Sequence, residues 1–380
     1  MTGDTERLRV ALIAGSLVQG GAEKQLVYMA SALLDTGVDV KVYSLTKGEY
    51  YEPTLVAMGL RPIWFGKYPS PPLRVTDLAR TLRPHNPHIL QSAHFFSSLY
   101  VAIAARLSGS ISIGSIRNDT FHELKANRTW GKWLLRSPSA LIANSHTAKR
   151  NAVSVGIKSD KIHILSNVID LVEFDKQGKA AELPACTKNR ICAFAIARLV
   201  HAKRLDRFLR AIALSRREIE DLTGIIVGDG PERSNLEAMA ADLGLLPDGV
   251  MFLGKRNDVP ALLRRTDLFV LTSDHEGCPN VILEAMAAGV PVVTTPAGDA
   301  DVLVQEGATG YVVPFNDVER LAERIIHLAR SPELRKRLGE AGRREVKRGF
   351  DLDGLAEHLM AIYHMVANRQ GNYRLQRVLE

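Results

Sequence analysis

Residues Glu276–Val293 read EGCPNVILEAMAAGVPVV, separated by three residues from the apolar run LFVLT (268–272). That run is short and β-rich, so it predicts a strand ending near Thr272. Pro279 suits the first helical position, Ala285–Ala288 are good helix formers, and Gly289 with Pro291 is a helix stop. The stretch PVVTT then begins another buried strand. Glu284 is thereby placed inside a helix of about two or three turns, with Glu276 on the loop before it. Helix N-terminal amides attract phosphate and carboxylates accept hydrogen bonds from hydroxyls. A nucleoside diphosphate sugar offers both groups.

Outward from this unit, strand and helix signals alternate, which predicts parallel α/β layers. Strands are expected at Arg9–Ala14, Val38–Ser44, His88–Ser92, Ser112–Ile116 and Ala140–Asn144, with a helix at Ala22–Leu34 and an extended loop at Tyr68–Pro72 (YPSPP). Asp175–Arg190 (DKQGKAAELPACTKNR) is polar, contains Pro and Gly, and predicts a linker. After it the pattern restarts with CAFAIA, a helix from about Leu205, then GIIVGDGP, VMFLG, LFVLT, PVVTT and GYVVP. The expectation is therefore two Rossmann-like domains facing across a cleft, at residues 1–180 and 181–360. A helical segment, 361–380, is expected to pack back on the first.

At 380 residues, with 46% hydrophobic and 24% charged residues, the composition is that of a globular protein of two or three domains and excludes disorder. The three cysteines, Cys186, Cys192 and Cys278, form neither a CxxC pair nor a disulfide framework, and the reducing cytosol is the expected compartment. Val10–Val18 is too short to span a membrane and leads into a Gly-rich loop, so it reads as a strand rather than a signal peptide. Residues 1–170 carry 20 Lys+Arg against 12 Asp+Glu, whereas the remainder carries 29 against 30. The positive excess lies entirely in the N-terminal half, where it suits nucleic acid, an anionic membrane or an anionic acceptor.

Four further stretches carry candidate chemistry. GSLVQGGAEKQ (15–25) is neither a P-loop nor GxGxxG, yet Gly20 and Gly21 let backbone approach an anion at the next helix N-terminus. ARLVHAKRLD (197–206) sets Arg198 and Lys203 five residues apart, cations able to stabilise a departing diphosphate. Arg204 and Arg207 read as solvated helix charges. In VGDGPE, Gly228, Gly230 and Pro231 make a strand-to-helix turn. His94 (SAHFF) lies just past a strand end, Asn118 and His122 follow another, and Asp299–Asp301 (DAD) reads as a polar loop rather than a metal site.

Glu276, seven residues, Glu284 and then AMAAGVPVV resembles the donor-site motif of family 4 glycosyltransferases, retaining enzymes of GT-B fold. GGAE, Arg198 with Lys203, VGDGPE and His94 are similar to that family's glycine loop, phosphate cations, strand turn and sub-sugar histidine. The resemblance implies transfer of a hexose or N-acetylhexosamine from a nucleotide sugar, UDP-linked before GDP-mannose, to a glycan or lipid-linked acceptor of cell-surface polysaccharide or glycolipid synthesis. In this reading the catalytic set is His94, Glu276, Arg198 and Lys203. The donor is held by Gly20, Gly21, Arg198, Lys203, Gly230, Glu276, Gly277, Cys278, Pro279, Asn280, Val281 and Glu284. Glu276 takes the sugar hydroxyls and Glu284 the ribose. No metal, cofactor or nucleic acid is implied. The chain departs from the family where GFG after the first glutamate is replaced by Gly277, Cys278 and Pro279, which leaves the sugar open.

A catalytically silent sugar-nucleotide-binding subunit is the alternative, and a Rossmann oxidoreductase is disfavoured by the missing GxGxxG. FHELKANRTWGKWLLR (121–136), read as one helix, puts Lys125, Arg128, Lys132 and Arg136 in a basic stripe accompanied by Trp130, Trp133 and Leu134. This fits a peripheral site on an anionic bilayer, at the inner face of the membrane. It fits equally a helix covering the sheet, with Trp133 or Leu134 in the core.

Overall fold

The computed structural model describes residues 6–127, 130–178 and 189–379. Two compact units result: one ends at Val168 and resumes at Leu352, and the other is Ile169–Asp351. The first contains β1 (Arg9–Ala14), β2 (Asp39–Ser44), β3 (Ile63–Trp64), β4 (Ile89–Ser92), β5 (Ile111–Ile116), β6 (Ala140–Ala143) and β7 (Ile162–Ile164). They pair in the order β3-β2-β1-β4-β5-β6-β7, all parallel. The second contains β8 (Ile191–Ile196), β9 (Leu222–Val227), β10 (Val250–Gly254), β11 (Leu268–Leu271), β12 (Val292–Thr294) and β13 (Gly310–Val312). Its parallel order is β10-β9-β8-β11-β12-β13.

The central strands β1 (RVALIA) and β8 (ICAFAI) are almost wholly apolar because both faces of the sheet are covered. In β1, Val10, Leu12 and Ala14 enter one core while Ala11 and Ile13 enter the opposite one. In β8, Ala193 and Ala195 lie on one side, Cys192 and Phe194 on the other. Each sheet reverses its strand order once, between β1 and β4 and between β8 and β11. In open α/β sheets such reversals leave a crevice at the carboxyl ends of the strands.

Several expectations need correction. The division falls at Val168, not near residue 180, and the return to the first unit begins at Leu352 rather than 361. The cause is electrostatic as well as topological: Asp175, expected in the linker, sits in the helix Leu171–Gln177 and pairs with Arg264 and Arg343 at 2.6 Å each, within the second unit. Residues 179–188 of the expected linker lie outside the described residues. The returning helix, Leu355–Gln370, places Leu359, Ile362, Tyr363 and Val366 in the core that also holds Leu12, Leu26 and Met29.

Pro71 and Pro72 begin the helix Pro71–Leu82 instead of extending a loop, since proline fits a first turn whose N–H groups lack partners. Pro279 is the N-cap, one position ahead of the helix Asn280–Ala287. That helix ends in a Schellman arrangement, with Gly289 N–H on Met286 O and Val290 N–H on Ala285 O, and Gly289 takes the required positive φ of 76°. The basic stretch forms two helices, Thr120–Asn127 and Gly131–Arg136, so no single stripe runs along it; Arg128 lies outside the described residues. Leu134 is core, whereas Trp130 and Trp133 are exposed.

Candidate functional site

In the second unit the loops after β8 and β11 meet at the strand-order reversal. Thr272 Oγ1 donates to Lys203 O at 2.9 Å and Asp274 N–H to Ala202 O at 2.9 Å, which ties the two loops together. The short turn His201–Lys203 ends at Arg204, whose positive φ of 48° turns the chain into the helix Leu205–Ser215. Lys203 Nζ lies 2.5 Å from Glu276 Oε1, and Ser273 Oγ donates to the same oxygen at 2.7 Å. The two side chains are 26% and 13% exposed, so the pair is poorly screened yet reachable.

Arg207 supports this junction from below. It is 3% exposed, donates to Thr272 O at 2.9 Å and to Asn316 Oδ1, and pairs with Asp274 at 2.6 Å. Arg204 pairs with both Asp206 and Asp274. The solvated-charge reading of Arg204 and Arg207 is therefore wrong: burying the loop carbonyl of Thr272 and the amide of Asn316 demands donors, and a guanidinium supplies several. Asp206 is raised by burial, but its hydrogen bond and charge contact with Arg204 outweigh this and hold it below the ordinary aspartate range.

Arg198 is exposed on the loop after β8 and makes no side-chain hydrogen bond or ion pair to another described residue. Its backbone closes on the VGDGPE turn, where a Cβ at Gly228 would sit 1.9 Å from Ala197 O and one at Gly230 2.4 Å from Leu199 O. Those glycines admit the Arg198 loop. Gly298 does the same for the other loop, since a Cβ there would meet Gly277 O at 2.2 Å. Gly277, Cys278 and Pro279 are buried, while Asn280, Val281 and Glu284 are half-buried along the helix they open. Asp299 is buried and donates its N–H to Gly277 O at 2.9 Å, whereas Asp301 is exposed. Lys203, Ser273 and Glu276 thus meet on the loops before the helix Asn280–Ala287, a cation and a carboxylate side by side, which suits a ligand bearing both phosphate and hydroxyls.

In the first unit His94 follows β4, beside the loop Gly15–Gly20 that follows β1. Its Nδ1 accepts the Gly15 N–H at 3.0 Å, and its Nε2 lies 3.0 Å from Glu23 Oε1. Glu23 is 6% exposed and also accepts from Ser16 Oγ at 2.7 Å. Burial would raise its carboxyl, but the bonds from His94 and Ser16 prevail and hold it below the ordinary glutamate range. Gly20 packs on this carboxylate, and Gly21 is exposed at the helix start. Glu23 was missed because GGAE was read for its glycines; a carboxylate in a helix first turn three residues after Gly20 was the available signal. Asn118 and His122 flank the start of the helix Thr120–Asn127, where burial and the charge of Asp119 push Glu123 up to about 7.

Residues 19–173 match the family model described as Glycosyltransferase Family 4, and residues 181–345 the one described as Glycosyl transferases group 1. N-acetyl-alpha-D-glucosaminyl L-malate synthase of Bacillus anthracis is 34% identical over 173 residues, 46% of this chain; the matched stretch spans under half of that relative, 45% of its length. Lipopolysaccharide core biosynthesis glycosyltransferase LpsE of Rhizobium meliloti is 25% identical over 89% of this chain and 94% of its own. Among solved structures, Anabaena HepE in complex with UDP and glucose superposes with a TM-score of 0.81 at 22% identity, covering 94% of this chain and 99% of that one. With two parallel Rossmann-like sheets, and with these two models matched in succession along its length, the chain belongs to the family 4 glycosyltransferases of GT-B fold.

Proposed function

We propose that the protein transfers a hexose or N-acetylhexosamine from a nucleotide sugar, with retention of configuration, to a glycan or lipid-linked acceptor of cell-surface polysaccharide or glycolipid synthesis. The observation that carries this reading is the Lys203–Glu276 pair at the strand-order reversal of the second unit, with Arg198 exposed on the same loop as Lys203. In the reaction the bond from the anomeric carbon to the diphosphate breaks and a bond from the acceptor oxygen forms on the same face. The acceptor's proton passes to the departing diphosphate oxygen, whose charge Arg198 and Lys203 stabilise. Glu276 holds sugar hydroxyls and Glu284 the ribose. UDP-sugars come first as donors, since HepE was crystallised with UDP and glucose; GDP-mannose comes second.

Thermal unfolding in the presence of UDP-glucose, UDP-N-acetylglucosamine, GDP-mannose and ADP-glucose tests the reading, because a ligand bound to the native state alone raises the midpoint. Calorimetry on Glu284→Ala then separates nucleotide from sugar: binding of the bare nucleotide should weaken along with that of the nucleotide sugar. No midpoint shift with any donor would refute the assignment. Release of UDP from the donor by the wild type discriminates a transferase from a silent binding subunit.

The reaction proposed needs neither cofactor nor metal, the cations being Arg198 and Lys203. Asp299 and Asp301 differ sharply in exposure, and Asp299 caps a short helix. Activity should therefore be the same in EDTA as in Mg²⁺ or Mn²⁺. A loss on chelation restored by either ion would return Asp299 and Asp301 to consideration.

No helix among the described residues is long and apolar enough to cross a membrane. A lipid-linked acceptor would then be reached from the surface, and the exposed Lys125, Trp130, Lys132, Trp133 and Arg136 supply basic and aromatic groups for an anionic inner leaflet of the cell membrane, from the cytoplasmic side. Replacing Lys125, Lys132 and Arg136 with Gln should remove on the order of 3 kcal/mol of attraction. Co-sedimentation with phosphatidylglycerol vesicles at low salt should be lost in this variant and absent for phosphatidylcholine. Equal sedimentation of wild type and variant would favour a soluble acceptor.

A further inference from the structure

β1 and β4 are paired neighbours at the strand-order reversal, with Ile13 opposite Ser92, and the ladder continues one step further where Ala93 N–H reaches Ile13 O at 2.9 Å. The pairing of the two strands ends there. At Gly15 a side chain is the acceptor: the Gly15 N–H donates to His94 Nδ1 at 3.0 Å. An imidazole nitrogen that accepts carries no proton, so the proton of the neutral ring sits on Nε2. That N–H points at Glu23 Oε1, 3.0 Å away.

His94 is also fixed through its main chain. Its carbonyl accepts from Ser92 Oγ at 2.6 Å and from Ser97 Oγ at 3.0 Å, both serines being buried. Glu23 in turn holds the loop by a second route, through Ser16 Oγ at 2.7 Å. Its other oxygen lies where a Cβ on Gly20 would be, 2.3 Å from it, so carboxylate and loop backbone are in close contact. Phe96 closes the opposite side, its ring 2.0 Å from where a Gly15 Cβ would be. The loop is thus gripped at Gly15, Ser16 and Gly20 by groups from β4's end and from the first turn of its own helix. With both ring nitrogens engaged inside the unit, the His94 ring offers no nitrogen to a ligand in this arrangement.

We propose that Glu23 is a positioning residue for glycosyl transfer: it locks His94 as the Nε2–H tautomer, so that Nδ1 captures Gly15 and fixes the loop after β1. This rests on the function proposed above. It also moves His94 from touching the sugar to organising the loop, and it explains an otherwise costly buried carboxylate at this position.

The test uses the full chain with UDP-glucose, UDP-N-acetylglucosamine and GDP-mannose as donors, and ¹⁵N-histidine-labelled protein for NMR of the imidazole nitrogens. Wild type should show His94 as the pure Nε2–H tautomer. Glu23→Ala should give a tautomer mixture and lose kcat/KM on the order of tenfold or more, the loss typical when the outer partner of an oriented histidine is removed. Glu23→Gln keeps an acceptor for Nε2–H and should fall between the two in both readouts. An unchanged tautomer in Glu23→Ala would overturn the proposal, as would a tautomer mixture with wild-type kcat/KM. If Glu23→Ala fails to fold, Glu23→Gln alone decides by the same criteria. Absence of turnover by wild type with every donor would instead sink the proposed function, and the NMR result would still decide whether Glu23 holds His94.

Discussion

Lys203→Ala is expected to lower kcat on the order of a hundredfold or more while raising the donor KM far less, as when one preorganised stabiliser of developing charge is removed. The charge on the departing diphosphate grows toward the transition state, so a fixed cation contributes more there than in the bound donor. The same ammonium rests on Glu276 at 2.5 Å. The cation and the sugar-holding carboxylate are therefore one unit. Removing Lys203 leaves Glu276 with Ser273 Oγ as its close side-chain donor among the described residues, and its orientation loosens. Consequently Lys203→Ala and Glu276→Ala should not add: the double variant should be much less impaired than the product of the two single losses. Steady-state kinetics on the four proteins checks this. An unchanged kcat in Lys203→Ala, or strict additivity, would separate the two residues' roles.

Tyr363→Ala is expected to destabilise the first unit by about 4 kcal/mol, in the range for deleting a fully buried aromatic ring. Tyr363 arrives with the returning helix, is completely buried, and donates its hydroxyl to Gln91 Oε1 in β4 at 2.6 Å. Gln91 is itself buried and contacts Met29 Sδ at 3.2 Å through Nε2. Truncation creates a cavity and leaves an amide oxygen without its donor. Tyr363→Phe, which removes the hydroxyl alone, should cost about 1–2 kcal/mol. Urea unfolding should show an early transition for the first unit in Tyr363→Ala while nucleotide binding by the second survives. A loss in Tyr363→Ala no larger than in Tyr363→Phe would mean that the ring's packing is not what holds the helix.

The central strands were legible because residues buried on both faces leave apolar runs that little else produces, as RVALIA and ICAFAI show. β3 and β7, of two and three residues, carry too little pattern to be read. Arg198, Lys203 and Glu276 were legible as candidates because their spacing is local to two loops. That Lys203 pairs with Glu276 was not, since they stand 73 positions apart. Glu23 and His94 are 71 apart, and each has an ordinary reading by itself. Arg207 looked like a surface charge because its burial depends on Thr272 and Asn316, which only the folded sheet brings near.

The chain enters and leaves the second unit side by side: Ile169 bridges Asp351, and its N–H bonds to Phe350 O at 2.9 Å. During translation this reverses the usual order of maturation, in which the earlier part of a chain finishes first. The unit encoded in the middle has all its residues once Asp351 is made. The one encoded first must wait for Leu355–Gln370, spending roughly ten to forty seconds at ordinary elongation rates with its core uncovered. A chain truncated after residue 351 should therefore be protease-sensitive before Ile169 and resistant thereafter, and chaperone demand should fall on the N-terminal half.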